Sequence, residues 1–168
     1  MKVPEITRRA EEWLSRGKVI EAPVPVLSIA KAMGVTVKFG PMPDDLSGFL
    51  LHENGETVLG VNSLHSKHRQ RFTIAHELGH FALHPKGNFV DHTVLYFRNS
   101  KSSQATDSRE MEANQFAADL LMPAKLIGKT LRDEPVDLED EQRIEALARR
   151  FQVSTQALTF RLLNLKRE

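Results

Sequence analysis

Apolar residues first recur at helical spacing. Ile6, Ala10, Trp13 and Leu14 predict a helix that Pro4 opens and Gly17 closes. Pro23 and Pro25 mark a loop, and Val26, Leu27, Ile29, Ala30 and Met33 predict a short second helix ended by Gly34. The period then drops to two. Val35, Val37 and Phe39 alternate with polar neighbours, as in a half-buried strand. Ser47 to His52 and Thr57 to Val61 read as two more strands, and Asn54-Gly55 between them is a strong hairpin signal. A small antiparallel sheet is therefore expected ahead of a long helix, about Ser66 to His84, which Pro85 stops. Phe89 to Phe97 reads as a further strand and the polar stretch Arg98 to Ser108 as a loop. A second long helix follows from about Arg109 to Met122. Pro123 limits it and opens a short helix through Ile127. In the tail, Ile144, Leu147, Ala148 and Phe151 form one apolar face. Ser154 can cap a last helix carrying Leu158, Leu162 and Leu165. The expected fold class is α+β.

Composition narrows the chemistry. A chain of 168 residues fits one domain with at most a small appendage. It has no cysteine, which excludes disulfides, Cys-type zinc fingers, iron–sulfur clusters and thiol nucleophiles. Any metal site must use His, Asp and Glu. The 23 basic and 22 acidic residues nearly cancel, so bulk charge announces neither nucleic acid nor membrane. The cancellation is not uniform. Residues 132–142 hold six acids against one base, whereas residues 143–168 hold six bases against two acids. We therefore expect a core domain over 1–131, which the motif below makes metallopeptidase-like, an acidic connector over 132–142, and a helix-turn-helix-like helical tail over 143–168 packed on the core. Gln152 stands at the turn position where DNA-reading motifs usually carry Gly, which disfavours direct DNA contact. No apolar run reaches the roughly 20 residues that span a bilayer, and no apolar segment follows Met1 to Pro4 as in a secretory signal. The expected location is the cytoplasm, without a membrane partner.

The chemistry concentrates in His76-Glu77-Leu78-Gly79-His80, an HExxH pattern. Residues four apart on a helix stack on one face, so His76 and His80 can aim at one ion. Glu77 lies about 100° round the helix and can face a water on that ion. A bare HExxH pattern also arises by chance, on a solvated helix. Here Phe72, Ile74, Ala75, Leu78, Phe81, Ala82 and Leu83 make the helix apolar on most sides, which indicates burial. Buried His and Glu need a partner, and a metal ion or a hydrogen-bonded network supplies one.

His84 is a poor third ligand, because it stands about 12 Å from His76 along a straight helix axis. A helix C-terminal role suits it better. The second long helix is the better source. Glu112 shares the apolar stripe of Ala113, Phe116, Ala117 and Leu120, although acids are also favoured at helix N-termini as solvated residues. Glu110 reads as turned away from that stripe and solvated. Asn114 is a candidate partner for a ligand histidine. The ligand types favour Zn(2+), with Mn(2+) or iron also compatible.

The words RFTIAHELGHFALH (Arg71 to His84) and EANQFAADLLMP (Glu112 to Pro123) resemble the ImmA/IrrE family of HExxH metallopeptidases. LSGFLL, ETVLGVN and the tail word from Leu147 to Leu165 fit as well. The resemblance implies a zincin-like core, with His76, His80 and Glu112 as metal ligands and Glu77 as catalytic base. It implies a protein substrate, a helix-turn-helix repressor of Xre type, whose cleavage controls gene expression. The alternative is a non-cleaving metal-binding regulator, or a toxin–antitoxin-type partner that binds such a protein or DNA. His92 and Tyr96 are candidates for stabilising the transition state. The strand before the metal helix is a candidate edge for an extended substrate.

Overall fold

The computed structural model describes residues 1–85, 89–92, 104–132 and 137–165. Helices α1 (Val3–Arg16) and α2 (Val26–Ala32) precede strands β1 (Val35–Gly40), β2 (Leu46–Glu53) and β3 (Glu56–Asn62). Helix α3 (Lys67–Leu83), strand β4 (Phe89–His92) and helix α4 (Gln104–Leu121) follow. Helices α5 (Ala124–Leu131), α6 (Glu141–Phe151) and α7 (Thr155–Leu165) complete the order. The fold is mixed α+β. Helix α4 begins at Gln104, inside the stretch expected to be loop. Of the expected strand Phe89 to Phe97, only the part to His92 falls in the described residues. No helix among the described residues is long and apolar enough to cross a membrane.

The hairpin forms as its turn chemistry requires. Asn54 and Gly55 both take positive φ, 51° and 79°, the geometry of a two-residue turn that matches strand twist. The sheet order is β1-β3-β2-β4, with β2 antiparallel to both β3 and β4. It is not wholly antiparallel as expected, because β1 runs parallel to β3. Alternation reveals which face of a strand is buried but not the direction of its neighbour. The β1–β2 connection is fixed by Asn62, whose Nδ2 donates to the carbonyls of Met42, Pro43 and Leu46. Because β3 is paired on both edges, it cannot take a substrate strand. That expectation is corrected.

One apolar cluster runs from α1 to α7. Trp13 of α1 meets Phe116 of α4 edge-on at 5.4 Å, and Phe81 of α3 at 5.9 Å. Such aromatic pairs add about 0.5–1.5 kcal/mol beyond their burial. Ile144, Leu147, Phe151, Leu158 and Leu162 of the tail are buried in the same cluster.

A polar network lies inside it. Arg161 of α7 and Asp119 of α4 pair at 2.7 Å, with side chains 4% and 2% exposed. Thr7 Oγ1 and Gln115 Nε2 donate to the other Asp119 oxygen, and Arg161 Nε donates to the Met122 carbonyl. Arg161 is thus engaged internally, which removes one of the tail's bases from contact with phosphate. Asp119→Ala strands that guanidinium in the core. We expect a loss of about 3 kcal/mol, since breaking a buried pair from one side leaves an uncompensated charge. Thermal denaturation should show a midpoint lower by roughly 6–12 °C for a chain of this size. A shift under about 2 °C would contradict that role for the pair.

Candidate metal centre

Helix α3 carries the site because the sequence fixes both its ends and its faces. Ser66 caps it, accepting from the Arg69 amide. Burial then extends almost around its circumference from Thr73 to His80. The glycine of the HExxH word has a packing reason. A Cβ on Gly79 would stand 3.0 Å from both the Cα and the carbonyl oxygen of Ala113. Its absence lets the α4 backbone close on α3, and α4 brings the third donor.

The candidate third donor is Glu110. His76 Nε2 and His80 Nε2 stand 3.1 Å apart. Glu110 Oε2 is 3.1 Å from the first and Glu110 Oε1 is 3.2 Å from the second. These three residues form a cluster suited to a metal ion. The spacing tests the fit. Bonds of about 2.0–2.1 Å in tetrahedral geometry place ligand atoms about 3.3 Å apart. The separation of the two imidazole nitrogens, and the distance of each from its nearer Glu110 oxygen, are within a few tenths of an ångström of that edge, and the donors are two imidazoles and a carboxylate. The residues present fit a small divalent cation.

Glu112, the ligand that the resemblance implies, lies outside this cluster. Its Oε2 lies 3.2 Å from His84 Nε2, and its other oxygen meets the Met1 amino group. Glu110 is not solvated as expected, since its side chain is 17% exposed. The reason is angular. Ala113 sits at the closest approach to Gly79. At 100° per residue, Glu110 lies about 60° to one side of Ala113 and Glu112 about 100° to the other. Glu110 also stands three and four positions before Ala113 and Asn114, a spacing legible in the sequence. Glu112 was favoured by adjacency to the stripe rather than by position on it.

His76 has an orienting partner. Asn114 Oδ1 lies 3.0 Å from His76 Nδ1. With Nδ1 as donor to that oxygen, Nε2 is the atom that can give its lone pair to an ion in place of a proton shared with Glu110. Asn114→Ala should weaken metal affinity about 10- to 100-fold, as loss of such an outer partner does. Competition with a fluorescent chelator measures this, and unchanged affinity would remove the orienting role.

Glu77 is fully buried, one residue from His76. His84 lies beyond His80, its ring tilted by 45° with centroids 6.0 Å apart, and is not part of the cluster. His92 ends β4, in register with Leu46 of β2. Tyr96 lies outside the described residues.

Electrostatics favour the ligand forms. Burial opposes the charge on Glu110, but hydrogen bonds from His76 and His80 outweigh it and hold its pKa at about 2. Burial holds His80 below its ordinary value of 6.5, and neighbouring His76 adds to this, against the bond from Glu110. Neutral imidazole is the metal-binding form. The unfolded chain takes up a proton on His80 more readily than the fold does. His80 therefore contributes stability fully above pH 6.5, and loses it as pH falls through its lower folded value. The Glu110 contribution is lost only further down, between 4.5 and about 2. Chelator-treated protein should melt at lower temperature at pH 5.5 than at about pH 7.5. A midpoint that is flat or rises on acidification would contradict this.

Comparison with known proteins bears on the family and the fold. A peptidase family model, the IrrE N-terminal-like domain, matches residues 30–163. The uncharacterized immunity region protein 2 of Bacillus phage phi105 is 32% identical over 79 residues. That match spans 47% of this chain and 46% of the phage protein. A solved structure of a Mycobacterium tuberculosis transcriptional regulator superposes with a TM-score of 0.62 at 20% identity. It covers 92% of this chain and 44% of that one, so the likeness is one of fold to part of a longer protein. The family model takes in both the HExxH helix and the helix that brings Glu110 to it, and the chain belongs to the ImmA/IrrE family.

Proposed function

We propose that the protein is a metal-dependent endopeptidase that cleaves a helix-turn-helix repressor of Xre type and so controls gene expression. The observation that carries this reading is the convergence of His76, His80 and Glu110 on one point, with Glu77 beside the first ligand. A purely structural metal site has no use for a buried carboxylate beside its ligand histidine. Membership of a peptidase family supports hydrolysis, and the phage relative's name supports a link to repressor control.

His76, His80 and Glu110 would hold the ion, and Zn(2+) suits this donor set, with Mn(2+) also compatible. A divalent cation there supplies Lewis acidity, polarising the scissile carbonyl and lowering the pKa of water. Glu77 takes the proton of the attacking water and passes it to the nitrogen of the leaving amine. Asn114 holds the His76 ring in its ligand orientation. His92 and Tyr96 are our candidates for stabilising the developing oxyanion. We assign no direct DNA contact to the tail.

The test is incubation with a helix-turn-helix repressor of Xre type from the same genome, with zinc or manganese added, followed by mass spectrometry of the products. A discrete cut that requires both metal and Glu77 is expected. Binding of the repressor without any cut, by the native protein and Glu77→Gln alike, would overturn the peptidase in favour of a non-cleaving regulator.

A further inference from the structure

A cavity of about 850 Å³ opens beside the N-terminal half of α3, away from the metal triangle. Its apolar wall includes Leu27 of α2, Phe39 of β1 and Ile74 of α3. Leu27 and Phe39 are 49% and 48% exposed, so their apolar surface is open to a ligand. Lys67, His68 and Arg71 of α3 also line the cavity, and no acid does among the described residues.

Arg71 is the informative group. Its Nη2 donates to the Val24 carbonyl at 2.9 Å, while its Nε is buried with no acceptor among the described residues. Burial opposes its charge. A guanidinium taken partly out of water gains from an oxyanion met by its remaining N–H groups. A volume of this order matches sites for small ligands, which combine apolar walls with a few placed polar groups.

We propose that this cavity binds a small organic anion, its oxyanion head on Arg71, Lys67 and His68 and its apolar body against Leu27, Phe39 and Ile74. The head is a carboxylate or a phosphate, either of which meets the same donors. Arg71 lies about 7.5 Å before His76 along the helix axis, so this site is separate from the metal centre and does not depend on the peptidase reading.

The test uses the full chain and two fluorescent dyes that share one apolar body. Anilinonaphthalene sulfonate carries an oxyanion, and phenylnaphthylamine lacks it. The sulfonate should bind saturably with one site per chain, and the neutral dye at least about 10-fold more weakly. Lys67→Glu, at an exposed position that leaves the fold intact, should weaken sulfonate binding about 10-fold. Arg71→Met should abolish it. Displacement by benzoate or by phenyl phosphate then distinguishes the two heads. Equal affinity for the two dyes, or sulfonate binding unchanged in Lys67→Glu, overturns the proposal even if Arg71→Met fails to fold.

Discussion

Glu77→Gln is expected to slow repressor cleavage by about 1,000-fold, within the 10²–10⁴ range of general-base contributions. The amide has the size of the carboxylate and can occupy the same fully buried position. It cannot accept a proton, so the attacking water keeps it and the leaving amine receives none. The ligand triangle does not include Glu77, so metal content should stay at the native level. Rate and metal content therefore separate base catalysis from ligation. A rate within about 10-fold of native would move the base to another group, and parallel loss of metal would make Glu77 a support of the site rather than its base.

The second large effect separates two glutamates that are two residues apart. Glu110→Ala should lower metal affinity by about 1,000-fold, a decade beyond what loss of an outer partner costs. Glu112→Ala should leave affinity within about 10-fold of native, because its carboxylate meets His84 and not the triangle. Elemental analysis after dialysis against a weak chelator reads both. If Glu112→Ala empties the site and Glu110→Ala does not, the geometric assignment fails and the assignment implied by family resemblance returns. Thermal midpoints of both variants guard against global unfolding, since Glu110 is only partly buried.

Much of this architecture is local and therefore legible in the chain. The Asn54-Gly55 hairpin follows from turn chemistry alone, because few other pairs tolerate two positive φ angles. The pairing of His76 with His80 follows from helix pitch, which is the same in any protein. The excess of apolar residues around them already requires burial, and burial of such groups requires a partner. The absence of cysteine limits that partner to imidazole and carboxylate donors.

Other features depend on where elements meet, and periodicity does not encode that. Helix α4 could present either Glu110 or Glu112, since each is compatible with an amphipathic helix. The contact of Gly79 with Ala113 sets the rotation of α4 and selects Glu110. The pairing of Asp119 with Arg161 joins residues 42 positions apart in the sequence, beyond the reach of any helical repeat. It converts an apparent surface base of the tail into a core contact. The direction of β1 was equally hidden, because a strand's alternation is the same beside a parallel or an antiparallel neighbour. By itself the sequence determined that His76 and His80 share a helix face beside Glu77, and limited the donors to imidazole and carboxylate. Tertiary packing decided which glutamate stands beside the two histidines, because a side chain's distance to another helix depends on the crossing of the two backbones.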